Sequence, residues 1–370
     1  MLWDYVCFED WPRSGIGQMV MNDGPKDRGA NWEFLGVPLS LHPMEARTAS
    51  KLPEGPGWQF EPKWDGFRCL AFKSGEEAEI KAKSGKSLSR FFPEVVANLR
   101  SLSLSTVVLD GELVLPINGT LSFDALQMRL HPADSRIERL SRDTPATLIL
   151  FDCLLKKAQP LLALPFEKRR AALETLFAEA GDGKELLLTP FTRDLRKAKE
   201  WLGGRHVQVD GVMAKRLDLP YRPGERTMLK VKHLRTADCV VGGFRYETGN
   251  RRVGSLLLGL YDGGGLLHHV GFTSGLADDE KSDLTIRLEA LIASPGFTGN
   301  SPGGPSRWST ARSAEWQPLR PELVVEVRYD HVTSGRFRHG TKLVRWRPDK
   351  APAQCTFDQL PRADTSLALP

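Results

Sequence analysis

Cysteine is scarce in this chain. The five present among 370 residues, Cys7, Cys69, Cys153, Cys239 and Cys355, form no CxxC pair and have no histidine at ligand spacing. That pattern excludes a disulfide-stapled scaffold and a structural zinc site, and fits a reduced, cytoplasmic compartment. No apolar run approaches the ~20 residues needed to cross a bilayer. The N-terminus also lacks the basic-then-apolar pattern of a secretory signal, so no membrane partner is expected. Charge of one sign is in short supply too. Lys and Arg number 51 against 46 Asp and Glu, leaving +5 at pH 7, which permits a polyanionic partner without demanding one. What is abundant is ordinary. A composition of 41% hydrophobic and 26% charged residues suits a globular chain with sizeable cores. Its length suits two domains of roughly 100–200 residues each. No internal repeat is visible.

Residues 1–35 are rich in glycine without amphipathic period and read as a loose extension. From Trp58 the texture is β, with runs at Trp58–Lys63, Gly66–Lys73 and Ala78–Lys83 and a turn at Ser74-Gly75. Phe92–Leu102 reads as a helix with Val95, Val96 and Leu99 on one face. Thr106–Pro116 is a strand, and Ser122 is placed to cap a short helix. Leu148–Leu155 is an apolar run of buried-strand length. Phe166–Ala180 is the clearest amphipathic helix, ended by Gly181-Asp182-Gly183. Strands at Leu186–Thr189, Gln208–Lys215 and Met228–Lys232 close a first unit over 36–236. Over 237–370 come short strands (Cys239–Tyr246, Ser255–Asp262, Leu266–Phe272), a helix Asp278–Ala293 and a long surface loop Ser294–Gln317. Glu322–Tyr329 and Leu343–Arg347 end the series. Five short strands with one helix suit a small Greek-key barrel of oligonucleotide-binding (OB) type.

Five segments could carry chemistry, and each alone has an ordinary reading. Glu61-Pro-Lys63-Trp-Asp65-Gly66-Phe-Arg68 places a lysine at a strand end. A lysine attacks phosphorus only when neutral, so burial and nearby cations are expected to depress its pKa from ~10.4. The glycine would let backbone approach a phosphate; the plain alternative is a surface β-turn. In Leu109-Asp110-Gly111-Glu112-Leu113, alternation puts both acids on one face, either a solvated edge or a hard-cation site. Phe151, in an apolar run, is core packing or a wall for a purine. Val209-Asp210-Gly211-Val212-Met213-Ala214-Lys215, with Lys230 and Lys232 downstream, is a solvent-facing hairpin or an anion site with a carboxylate able to hold a divalent ion. Arg345-Trp-Arg347-Pro-Asp349-Lys350 is a basic patch.

Together, in this order and spacing, the segments resemble the covalent nucleotidyltransferase superfamily and, within it, ATP-dependent DNA ligases. Trp346-Arg-Pro-Asp-Lys350 with Cys355-Thr-Phe-Asp-Gln359-Leu is similar to the bacterial ligase C type. The resemblance covers about residues 36–360. It implies an α+β fold: an adenylyltransferase domain of antiparallel sheets flanked by helices, then an OB-fold barrel. Lys63 would take AMP from ATP as a lysyl phosphoramidate. Glu61 would read the adenine amino group and Phe151 stack on the ring. Glu112 and Asp210 would lie near ribose and a catalytic Mg²⁺ or Mn²⁺. Lys230 and Lys232 would hold the α-phosphate, and Arg68 would sit near nucleotide and nick. Arg347, Asp349 and Lys350 would orient pyrophosphate and swing in and out, with a hinge near Lys232–Ala237. The implied substrate is nicked double-stranded DNA, sealed by a monomer in repair, near the bacterial nucleoid, alongside a repair polymerase or nuclease. RNA ligation, capping-type guanylyl transfer or non-catalytic DNA binding are the competing readings. Two departures stand out. Asp210 replaces the family's usual glutamate, one methylene longer. Ala82-Lys83-Ser84-Gly85 replaces Ser-Arg-x-Gly, so the 5′-phosphate would meet the point charges of Lys83 and Lys86, with Arg90 sharing, instead of an arginine fork.

Overall fold

A computed structural model describes residues 36–180, 186–203, 209–303 and 315–360. The readings for 1–35 and for the Gly181–Gly183 helix stop lie outside them. The chain divides into two compact units, the first running to Lys232 and the second from His233.

The first unit is built on two sheets. The smaller has the order Glu45–Thr48, Arg226–Lys232, Val209–Arg216, Trp58–Trp64. The larger has the order Leu186–Leu188, Thr147–Lys156, Thr106–Val114, Phe67–Ser74, Glu77–Ala82. Period-two alternation gives each strand of the larger sheet two apolar faces. One face carries Ala71, Leu109, Leu113 and Leu150, covered by Val95 and Leu99 of helix Pro93–Ser101 and by Leu173 and Leu176 of helix Phe166–Ala180. The opposite face carries Leu70, Phe72 and Val108, which pack against Met228 and Met213 of the smaller sheet. The outer face of the smaller sheet buries Phe60, Val212, Ala214 and Val231 beneath Ala198 and Trp201 of helix Leu195–Gly203. Each fully buried Leu, Val, Met or Phe among them contributes roughly 1.5–3 kcal/mol. Ser122 accepts from the Ala125 amide and caps helix Phe123–Met128. The strand Glu45–Thr48 and the helices Asp134–Asp143 and Leu195–Gly203 are additions to the sequence reading. The turn between the third and fourth strands falls at Gly75-Glu76, not Ser74-Gly75.

The second unit is an antiparallel sheet with five strands in the order Leu267–Thr273, Val253–Tyr261, Arg235–Tyr246, Val324–Tyr329, Lys342–Trp346 and a short sixth, Gln317–Pro318, beside Arg235–Tyr246. A parallel bridge from Thr273 to Thr341, with the Thr273 hydroxyl donating to the Thr341 carbonyl at 3.0 Å, joins the first and last of the five into a barrel. The helix between strands is shorter than expected, Lys281–Glu289. The expected surface loop after it is also corrected. Phe297 is buried, and a Cβ on Gly242 or Gly259 would meet its ring at 2.6 and 2.9 Å. Those two glycines admit the ring into the barrel core, and Pro318 pairs with Gly243.

Candidate active site

A cavity of about 260 Å³ opens in the first unit between its two sheets, lined among others by Glu61, Lys63, Arg68, Lys83, Glu112, Phe151, Lys215 and Lys230. From the smaller sheet, Glu61 and Lys63 share a strand face, and Met213 and Gly211 stand directly opposite them on the neighbouring strand. On the next strand Lys230 and Lys232 alternate with buried Leu229 and Val231. Lys230 lines the cavity, and Lys232 pairs in register with Gly211. From the larger sheet come Arg68 and Glu112, a registered cross-strand pair.

Two of these side chains reach the cavity because the ladder is irregular. Val209 pairs with Trp64 and Gly211 with Lys63, which leaves Asp210 as an extra residue on its strand. Regular alternation would turn Asp210 toward the outer core with Val212 and Ala214. The bulge re-aims it, and its Oδ2 lies 2.6 Å from the Lys63 Nζ. Gly211 makes the bulge possible: its φ is 150°, and a Cβ there would meet the Val231 carbonyl at 2.2 Å. Phe151 is likewise skipped between the pairs Asp110–Asp152 and Gly111–Leu150. It is 6% exposed and walls the cavity.

The electrostatics correct one expectation. Burial lowers the Lys63 pKa, but the Asp210 carboxylate beside it, helped by Glu112 and Asp65, outweighs burial and raises it above 10.5. Without nucleotide the amine is therefore held protonated. The acid on the other wall behaves in the opposite sense. Burial pushes the Glu112 carboxyl up to about 7, against the pull of Lys63 and Arg68. Asp110, offered as half of a solvated edge, is fully buried. It takes a fork from Arg68 (2.6 and 2.7 Å) and the Tyr221 hydroxyl proton at 2.6 Å. Tyr221 in turn accepts from the Met44 amide at 2.9 Å. This network holds the Arg68 guanidinium 4.3 Å from the Phe151 ring centroid. Gly66 has a packing reason that the sequence does not show. A Cβ there would fall 2.0 Å from the Leu113 carbonyl oxygen, so packing against the carboxylate strand by itself demands glycine.

Lys83 lines the cavity and pairs with Glu45 at 3.0 Å. Lys86 is exposed on the turn beyond it. Arg90 is engaged by Asp134 at 2.7 Å. Lys215, quoted in a motif but given no role from sequence, is buried and pairs with Glu61 at 2.6 Å.

In the second unit the closing segment is internally neutralised. Arg347 bonds Asp238 (2.9 and 3.0 Å) and Asp349 (2.8 Å), and Lys350 reaches Asp238 at 2.7 Å. Hydrogen bonding from Arg347 pulls the Asp349 carboxyl down to about 2. Asp238, a lone acid on a strand, carried no signal in the sequence.

The sequence model for the ATP dependent DNA ligase domain matches residues 43–232, and that for the ATP dependent DNA ligase C terminal region matches 249–350. The chain belongs to the ATP-dependent DNA ligase family. It is 44% identical to DNA ligase C2 of Mycolicibacterium smegmatis over 342 residues, 88% of this chain and 96% of that protein. It is 34% identical over 307 residues to the multifunctional non-homologous end joining DNA repair protein LigD of Mycobacterium tuberculosis H37Rv, covering 80% of this chain and 37% of that one. A solved structure from a structure-function study of Lig E DNA ligases matches with a TM-score of 0.54 at 15% identity, over 83% of this chain and 99% of that one. That likeness agrees with the fold described above. As an ATP-dependent DNA ligase, the protein is an enzyme that uses ATP to seal nicks in DNA. None of its described helices is long and apolar enough to cross a membrane.

Proposed function

We propose that this ligase works through AMP attached to Lys63, in bacterial DNA repair. The observation that carries the reading is the Lys63 amine, 2.6 Å from Asp210 on the wall of a cavity that also presents Glu112, Phe151 and Lys230. Lys63 first gives up one ammonium proton to solvent as the bound phosphate and cation draw Asp210 away. The freed Nζ lone pair attacks the α-phosphorus, the bond to the pyrophosphate oxygen breaks, and a second proton leaves the new P–N nitrogen to solvent. Phe151 offers the base a flat face, and Glu61 accepts from its amino group. Lys230 and Lys232 offset charge on the α-phosphate. In the second unit, Arg347 and Lys350 orient pyrophosphate, with Asp349 fixing Arg347. AMP then passes to the 5′-phosphate of the nick, where Lys83 and Lys86 bind it, and the 3′-hydroxyl displaces AMP.

Glu112 and Asp210 both act on Lys63 across the cavity. Among the described residues no group of three or more His, Cys, Asp or Glu could cage a metal. Two carboxylates beside a phosphate site suit Mg²⁺ or Mn²⁺, which bind through one or two carboxylates plus substrate oxygens. The cation would supply charge neutralisation at the phosphates. Nicked duplex DNA is bound by the monomer mainly through its backbone, with strong salt dependence, after a repair polymerase or nuclease has prepared the ends.

Mass spectrometry tests the reading. Wild-type protein with ATP and Mg²⁺ should gain the mass of one AMP, mapped to the Lys63 peptide, and Lys63→Ala should gain none. An adduct of normal yield on Lys63→Ala would overturn it.

A further inference from the structure

Lys215 stands directly across the strand pair from Gln59, with Glu61 on the diagonal. Its Nζ lies 2.6 Å from Glu61 Oε2, 4.3 Å from the Phe151 ring centroid and 4.9 Å from that of Phe166. Gln59 donates to the other Glu61 oxygen at 2.9 Å. The Gln59 Oε1 of this cluster is buried without a hydrogen-bond partner, and the buried Lys215 Nζ, held by one Glu61 oxygen, keeps further N–H donors to place. Both residues are at least 95% buried. An ammonium carries three N–H donors, and leaving buried donors and acceptors unmade is expensive. Pro62, which lines the cavity between Glu61 and Lys63, has no backbone N–H to offer there. Near Glu61 and Phe151 the strand therefore presents acceptors, and Lys215 is the donor.

We propose that Lys215 and Glu61 form a two-point reader of the nucleotide base, Lys215 donating to adenine N1 and Glu61 accepting from the 6-amino group. The inference rests on the ligase reading of the Lys63 cavity and adds a residue that sets which base is accepted. Adenine presents an acceptor (N1) beside a donor (the 6-amino group), complementary to the ammonium and carboxylate. Guanine presents N1–H beside O6, so donor meets donor and acceptor meets acceptor, each desolvated in the cavity. Mispairing a buried charged group in this way gives strong rejection. Gln59 anchors the carboxylate, and its free Oε1 is a second acceptor on the amino-group side.

The test is adduct formation on the full chain with ATP, GTP, 1-deaza-ATP (C–H in place of N1) and 7-deaza-ATP, in wild type and Lys215→Met. A hydrogen bond to a charged group corresponds to roughly 10- to 150-fold. Wild type should lose about that factor in kcat/KM with 1-deaza-ATP and little with 7-deaza-ATP. Lys215→Met should lose a similar factor with ATP, mainly in KM, and no longer distinguish ATP from 1-deaza-ATP. Its ATP-over-GTP preference should fall in parallel. Equal use of ATP and 1-deaza-ATP by wild type, or an undiminished distinction in Lys215→Met, would overturn the proposal. The wild-type comparison stands even if the variant folds poorly. Lack of any adduct from ATP on wild type would instead defeat the Lys63 reading itself.

Discussion

Replacing Asp210 with asparagine isolates what holds the nucleophile charged. The Asp210 Oδ2 sits 2.6 Å from the Lys63 Nζ, with side-chain exposures of 9% and 23%. Unit charges about 4 Å apart at an effective dielectric near 20 attract by roughly 4 kcal/mol, the order of magnitude for this part-buried pair. Opposite charges at this range commonly shift a pKa by about 1–3 units, or roughly 1.4–4 kcal/mol. Asp210→Asn keeps the shape and removes the charge, while Glu112 and Asp65 remain. The Lys63 pKa should therefore fall. The sign follows from linkage. A lysine whose folded pKa lies above its unfolded value stabilises the fold below the unfolded pKa, and that stabilisation is lost as pH rises through the folded one. Asp210→Asn should thus also lower stability at neutral pH. The assay is pH-dependent labelling of Lys63 by an amine-reactive reagent in metal-free, nucleotide-free protein, read on its peptide. Free of metal, the readout is independent of any ligand role for Asp210. An unchanged or raised labelling midpoint would refute the argument that this carboxylate keeps the amine protonated.

Lys350→Ala should slow attachment of AMP far more than sealing of DNA already carrying AMP at its 5′-phosphate, and equal losses in both assays would contradict a pyrophosphate role. Gly66→Ala forces a Cβ to within 2.0 Å of the Leu113 carbonyl. It should destabilise the first unit by about 1–3 kcal/mol, as overpacking does, and a melting curve that does not move would count against it. Because burial raises the Glu112 carboxyl to about 7, its charged form is disfavoured from the usual carboxylate range up to that pH. Mg²⁺ must displace that proton, so its affinity measured by calorimetry should rise with pH up to about 7 and flatten above. An affinity constant across that window would exclude Glu112 as a ligand.

Alternation alone brought out much of this site. It put Asp110 and Glu112 on one face, and Lys230 with Lys232 on another, as the structure has them. It could not place Asp210 or Phe151, whose directions depend on bulges set by the partner strand and not by the residues' own run. The Lys63 pKa is raised and not depressed for the same reason, since the acid that raises it arrives through a bulge. The missed elements are weak in pattern. Glu45–Thr48 is four residues with no fully buried side chain, and Asp134–Asp143 buries only Ile137. The Phe297 segment looked like a loop because proline, glycine and serine dominate it, although one aromatic ring fixes it to the barrel.

The two bulges bear on any attempt to engineer this enzyme for heat tolerance. Stabilising redesign favours regular ladders and idealised geometry, and deleting Asp210 or Phe151 would close the break in register at that point. The result would be a sturdier sheet from which the nucleophile's carboxylate or the cavity's aromatic wall has gone. Selection by melting temperature alone would reward that loss, so a stabilised variant has to be screened for its covalent adduct as well.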